Sequence, residues 1–218
     1  FFKQNTAYAI LSGLVGSEMC IRDSLYPKLI MGNHDDRDTF KNHFKNTPID
    51  QDGFVQYKVE LQDKRFLFLD TTNPKSHQGH YCQKRMVWFT QQLNESLEKN
   101  QRVFIFMHHN PLALGSTKTD EIGLVQKNEL KNILFKYKES IRHIGFGHQH
   151  VTSAGQYLGI TFSSPRSTWT PLVQNFTDRY RLGTANTDPN YNIILIKEDS
   201  LVVHSEDFLK TEVNWFTD

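Results

Sequence analysis

Three short stretches of this chain hold side chains of the kinds that bind metal ions. They are Gly32-Asn33-His34-Asp35, Met107-His108-His109-Asn110-Pro111 and Gly147-His148-Gln149-His150, and they carry five of the ten histidines. Imidazole nitrogen and amide oxygen are borderline donors, suited to Fe, Mn, Zn or Co rather than Ca. His148 and His150 stand two apart, so in an extended or turning loop they can point toward neighbouring positions. That spacing suits a two-metal centre, in which ions roughly 3.5–4 Å apart clamp a phosphoryl group and activate a water. Such a hydrolase usually also holds a bridging carboxylate. No aspartate precedes Asn33 except Asp23, which lies in an unusual leading segment.

Each stretch follows an apolar run: Leu29 to Met31, Val103 to Phe106 and Ile141 to Ile144. Strand ends deliver their loops to a common rim, so residues distant in sequence can meet there. Asp38 to Phe44 predicts a short helix. Val55 to Leu61 alternates and Arg65 to Leu69 is apolar, with Gln62-Asp63-Lys64 between them, which predicts a hairpin. Met86, Phe89, Leu93 and Leu97 recur at helical spacing, so Lys84 to Lys99 should be an amphipathic helix, and Leu130, Ile133, Leu134 and Tyr137 mark another. Arg102 to Met107 and Ile141 to Ile144 read as buried strands, the second ending at Gly145. Tyr157 to Phe162, Tyr191 to Lys197 and Leu201 to Ser205 read as further strands. Mixed strands and helices without a linker-like break argue for one domain of layered α/β packing.

Composition narrows the function. The formal net charge of the 218 residues is +1, which gives no electrostatic reason to expect a nucleic-acid polymer or an anionic membrane as partner. No apolar run is long enough to span a bilayer. Residues 1–24 resemble a translated sequencing adapter, with Leu14 to Ser24 matching without mismatch, and are set aside from fold reasoning as non-native. Cys20 falls there, which leaves Cys82 alone after Leu25. A lone cysteine excludes a disulfide framework and fits a reducing cytoplasm.

The ordered blocks Gly-Asn-His-Asp, a metal-binding His and Gly-His-x-His resemble the calcineurin-like metallophosphoesterases across residues 25–218. The resemblance implies a layered α/β/β/α sandwich with mixed sheets, its opening strands and two upstream blocks, Asp-x-His and Gly-Asp-x-x-Asp, absent from this chain. It implies that Asn33, His108 and His148 ligate one ion. His150 would ligate a second, together with an upstream Asp and His. The cofactors would be two transition-metal ions, Fe or Mn foremost, with Zn or Co as alternatives. His34 would bind no metal. It would contact the phosphate and protonate the leaving oxygen. Asp35 would orient His34 or its loop, and His109 would line the pocket or be a buried, hydrogen-bonded neighbour. Arg37 would touch the substrate phosphate or pair with Asp36 or Asp38.

Longer strings are similar to bacterial class III cyclic-nucleotide phosphodiesterases: residues 32–37, residues 108–112, Asp120 with Asn128 and Leu130, Ser164-Pro165 with Ser167-Thr168, and Pro189-Asn190-Tyr191. Glycerophosphodiesterases share much of this. The expected substrate is therefore a small phosphodiester, cyclic AMP foremost. The alternatives are a glycerophosphodiesterase and a non-catalytic binding module on the same fold. A chain without the upstream ligands is expected to bind metal poorly and to be inactive. His77 and His80 read as solvated, His43, His143 and His204 as structural or surface residues, and Cys82 as a small apolar residue.

Overall fold

The computed structural model describes residues 27–176, 181–184 and 186–208. The adapter-like segment 1–24 lies outside them. Among the described residues, four helices and ten strands carry the architecture. Helix α1 is Arg37–His43, β1 Tyr57–Leu61, β2 Lys64–Leu69, α2 Gln83–Glu98, β3 Arg102–Met107, α3 Thr117–Glu121, α4 Lys127–Tyr137 and β4 Ile141–Phe146. Then follow β5 Ser153–Tyr157, β6 Ile160–Ser164, β7 Leu172–Val173, β8 Gly183–Thr184, β9 Asn190–Ile196 and β10 Leu201–Asp207. The two helices with a large packing role are α2 and α4.

The main sheet has six strands in the order β1-β2-β3-β4-β6-β5. Strands β2, β3, β4 and β6 run parallel, while β1 and β5 pair antiparallel at the two edges. This gives an α/β fold with a mixed central sheet. Alternation along β2 and β3 decides the faces. Leu67, Leu69, Val103, Ile105 and Met107 are fully buried in one cluster with Met86, Phe89 and Leu93 of α2 and Leu130 and Leu134 of α4. On the opposite face Phe68 stacks between Tyr57 and Phe106, and Phe66 stacks on Phe104, each pair in direct register. Such cross-strand pairs stabilise a sheet by roughly 0.2–1 kcal/mol each. Strands β9 and β10 form a separate antiparallel ribbon. Asn192 and Ile194 of that ribbon line a cavity of about 320 Å³ with Ile30, Phe106, His108 and Phe146. No helix among the described residues is long and apolar enough to cross a membrane.

Three expectations change, and one helix went unpredicted. Leu29 to Met31 forms no ladder among the described residues. Met31 is buried all the same, and the Tyr57 hydroxyl donates to the Leu29 carbonyl at 2.7 Å, taking a strand partner's place. Tyr157 to Phe162 is not one strand but a hairpin, turning at Leu158 and Gly159, whose φ angles are +59° and +86°. Two successive positive φ values are those of the tight turn that matches strand twist. Strand β4 does not stop at Gly145. It runs on to Phe146, and a Cβ at Gly145 would come within 2.8 Å of the Phe106 ring. Helix α3 went unpredicted because its five residues, Thr-Lys-Thr-Asp-Glu, carry no apolar period.

Candidate metal centre

Parallel register brings the motifs together. Leu69 pairs with Met107, and Met107 with Phe146, so β2, β3 and β4 end level with one another. The residues that follow, Asp70, His108 and Gly147, therefore leave the sheet side by side. The Gly147 N–H donates to the His108 carbonyl at 3.0 Å. Beyond it Gln149 is buried and donates through Nε2 to Asn110 Oδ1 at 2.7 Å and to the Thr119 carbonyl at 3.0 Å. Gln149 anchors the loop inward. His148 and His150 flank it at φ +69° and +55°. This left-handed backbone is uncommon for a side chain of this size and costs of order 1–3 kcal/mol per residue.

Three donor atoms converge. His108 Nε2 lies 2.9 Å from Asn33 Oδ1 and 3.2 Å from His148 Nδ1. Atoms bound to one ion at roughly 2.1 Å stand roughly 3.0 Å apart at right angles and about 3.4 Å apart at the tetrahedral angle. The observed spacings match the edges of such a coordination shell, so the residues present fit a transition metal. Their orientations are fixed from behind. His148 Nε2 is 2.9 Å from the Ile122 carbonyl, which only accepts, so the proton sits on Nε2 and Nδ1 keeps its lone pair. Asn33 Nδ2 donates to His77 Nδ1 at 2.9 Å, which turns Oδ1 toward His108.

The imidazoles are also neutral, as ligation requires. Burial, reinforced by His109, His148 and His150, holds His108 well below the ordinary histidine value. Burial lowers His148 to about 4, opposed by its bond to the Ile122 carbonyl. His109 is lowered to about 3 by burial and by the neighbouring His148, against the pull of the His77 carbonyl.

His108, His109 and His148 have nitrogens within 4.8 Å of one another, yet His109 is not free to ligate. Its Nε2 donates to the His77 carbonyl at 3.2 Å, and its Nδ1 accepts from the Thr71 hydroxyl at 2.8 Å. It is a buried, hydrogen-bonded neighbour. Gly79 makes room for it, since a Cβ there would lie 2.5 Å from His109 Cγ. His150 stands outside this trio. Its Nδ1 donates to the Thr170 carbonyl at 2.7 Å, which leaves Nε2 with the lone pair.

His34 is exposed, and its ring meets that of His77 edge-on at 5.1 Å. Both border an opening of about 580 Å³ together with Asn33, Arg37, Thr72 and Lys75. Asp35 Oδ2 accepts from the Gly32 N–H at 2.7 Å, closing the turn that presents Asn33 and His34. Arg37 pairs with neither Asp36 nor Asp38. It forms a two-pronged bond to Asp70, at 2.8 and 3.0 Å, and reaches the Thr72 carbonyl. Its guanidinium is held by Asp70 while it borders the opening beside His34. Asp36 instead caps α1 by accepting from the Thr39 N–H.

Sequence reasoning missed four contributors: His77, Thr71, Asp70 and the Ile122 carbonyl. Burial pushes the Asp70 carboxyl up, but Arg37 and Arg85 outweigh it and hold it below its ordinary value. His77 had one usable signal. Its loop follows β2, so it leaves the same rim as the other motifs. Ile122 had none, because a backbone carbonyl carries no residue-type signature.

A sequence profile described as calcineurin-like phosphoesterase matches residues 17–152, well over half of the chain. A protein of Rhodopseudomonas palustris named a probable cyclic nucleotide phosphodiesterase is 26% identical over 183 residues, covering 83% of this chain and 66% of that protein. A glycerophosphodiester phosphodiesterase of Enterobacter lignolyticus is 28% identical over 145 residues, covering 64% of this chain and 50% of that one. The chain thus spans about half to two thirds of the length of these relatives. The crystal structure of a dimetal phosphatase from Danio rerio superposes with a TM-score of 0.67 at 14% identity, over 93% of this chain and 75% of that one, and shows the same fold.

Proposed function

Because the chain belongs to the calcineurin-like phosphoesterase family, we propose that it is the metal-bearing part of a phosphodiesterase that hydrolyses 3′,5′-cyclic nucleotides, cyclic AMP foremost, to 5′-monophosphates. The observation that carries this reading is the convergence of Asn33 Oδ1, His108 Nε2 and His148 Nδ1 at coordination-shell spacing. These three would hold one ion, and His150 would serve a second, with Fe or Mn the leading candidates. When bound, the ions would supply positive charge for the phosphoryl oxygens and a nucleophilic water at neutral pH.

The chain's own residues do the rest. Asn33, His108 and His148 would fix the ion at the rim, where the reacting end of the diester would sit. His34, exposed at the mouth of the opening, would contact the phosphate and give a proton to the departing 3′ oxygen. Asp35 holds the turn that aims it. The nucleoside portion of the substrate would occupy the opening beside His34 and His77. Similarity to probable cyclic nucleotide phosphodiesterases from several bacteria supports the substrate class. Similarity to glycerophosphodiester phosphodiesterases supports the second reading, a glycerophosphodiesterase.

The test is turnover of cyclic AMP and of glycerophosphocholine side by side, after chelation and after Mn²⁺ is restored. The first reading expects Mn²⁺-dependent hydrolysis with cyclic AMP preferred. His34→Ala should then lower kcat by roughly 10²–10⁴-fold, the usual contribution of a general acid. Preference for glycerophosphocholine selects the second reading. Bound metal without turnover of either diester fits a binding module on a phosphoesterase fold and equally a chain that lacks the upstream Asp-x-His and Gly-Asp-x-x-Asp ligands, since fold alone does not prove activity.

A further inference from the structure

We infer that His77 is a positioning residue of the metal centre: its Nδ1 fixes which way round the Asn33 amide sits, so that oxygen and not nitrogen faces the ion. This rests on the metal-binding reading above. An asparagine amide is nearly symmetric in shape, and its two ends differ only in hydrogen bonding. A metal ligand must present Oδ1. With no acceptor for Nδ2, the amide can turn its NH2 toward the imidazole lone pairs of His108 and His148, and the binding-competent arrangement becomes the minor one. His77 removes that ambiguity by accepting from Asn33 Nδ2 at 2.9 Å, while Oδ1 lies 2.9 Å from His108 Nε2.

The loop that carries His77 is pinned for the task. The Gly79 N–H donates to the Gly123 carbonyl at 3.1 Å, and the Val125 N–H donates to the Gly79 carbonyl at 2.8 Å. Gln78 Nε2 reaches the Glu121 carbonyl at 3.0 Å, and the His77 carbonyl receives His109 Nε2 at 3.2 Å. The segment holding Ile122, which fixes the tautomer of His148, is therefore the same segment that clamps the His77 loop. One surface connection orients two of the three converging donors.

The experiment measures Co²⁺ affinity by titration of the full chain, followed by visible absorption, with circular dichroism to confirm folding. Wild type should show an imidazole-coordinated Co²⁺ spectrum. His77→Ala should weaken binding roughly 10–100-fold, the usual effect of removing a partner that orients a ligand. His77→Asn, which places an acceptor oxygen near the position of Nδ1, should restore affinity to within about threefold. The decisive arm is a double-mutant cycle. In an Asn33→Asp background the ligand has two equivalent oxygens and needs no orientation, so His77→Ala should there weaken binding by less than about threefold. If His77→Ala does not fold, His77→Phe lacks the acceptor, keeps a ring against His34 and carries the same expectation. An equal loss in both backgrounds, or no loss in either, overturns the inference while leaving the metal centre standing. Failure of the wild type to bind Co²⁺ overturns both.

Discussion

A histidine serves a metal only while neutral, and burial imposes that state on His108, His109 and His148 at a price in acid stability. His143 shows the effect away from the metal centre. It is buried, its Nε2 lies 2.9 Å from Ser163 Oγ and its Nδ1 3.0 Å from Thr161 Oγ1. The Thr161 hydroxyl gives its own proton to the Arg142 carbonyl, so Nδ1 must donate and Nε2 accept. Burial lowers His143 from 6.5 to about 4. The unfolded chain therefore takes up the proton first as pH falls. The stability that a neutral His143 contributes is complete above about pH 6.5 and is lost as pH drops toward 4. Urea denaturation of the metal-free protein should show roughly 2 kcal/mol lost from this group between pH 7 and pH 5. His143→Gln should flatten the slope, though His109 and His148 add to it with the same sign; an unchanged slope would assign the protons to other groups. Asp70 makes the opposite case. It is a buried anion between Arg37 and Arg85, and Asp70→Asn leaves two guanidiniums short of a partner. That substitution should destabilise the fold by roughly 3–5 kcal/mol in chemical denaturation. At this scale Asn33, His108 and His148 were legible through the resemblance of their blocks to the phosphoesterase pattern, and the fold brings the three together. The sequence hid His77, whose role depends on a loop folding back across forty-odd residues, and it left Arg37 between a substrate phosphate and Asp36 or Asp38, with nothing that pointed to Asp70.

Helices and strands with a clear apolar period were legible almost to the residue. Strand β3 coincides with its expected span, and α2 is displaced by a single residue from the expected Lys84 to Lys99. Where the period was absent or a turn lay inside an apolar run, the expectation failed. Leu158 looks like a strand residue by type, and nothing in its type reveals a φ of +59°. Loops matter more for the centre than strands, because strands supply only the level rim. The β2–α2 loop is the sharpest example. Gly79→Ala would drive a methyl group to 2.5 Å from His109 Cγ. Either His109 or the His77 loop must move, and overpacking of this kind destabilises by roughly 1–3 kcal/mol. We expect a lower Tm and weaker Co²⁺ binding together. A lower Tm with unchanged Co²⁺ affinity would show that the loop can yield without disturbing Asn33.

At the scale of the molecule the centre joins Asn33, His108 and His148, which come from three separate parts of the chain. Binding of an ion to the folded state alone should raise stability by roughly 2.7 kcal/mol at a hundredfold excess over Kd. For a domain of this size that corresponds to roughly 5–10 °C in Tm. His148→Ala should abolish the rise; a rise that persists would place the stabilising ion elsewhere. The layered α/β architecture was legible from the alternation of strand and helix signals, whereas the ribbon's place as a separate sheet was not, since no pattern in one strand names its neighbour. One feature of the centre bears on how such a chain would respond to selection. His148 and His150 hold left-handed backbone that glycine or asparagine adopts with less strain. Relief of up to roughly 3 kcal/mol at each position outweighs the roughly 1 kcal/mol of a lost hydrogen bond. A library sorted for heat resistance alone would drift toward glycine or asparagine at these two positions, and its hardiest survivors would be the ones that had forgotten how to hold a metal.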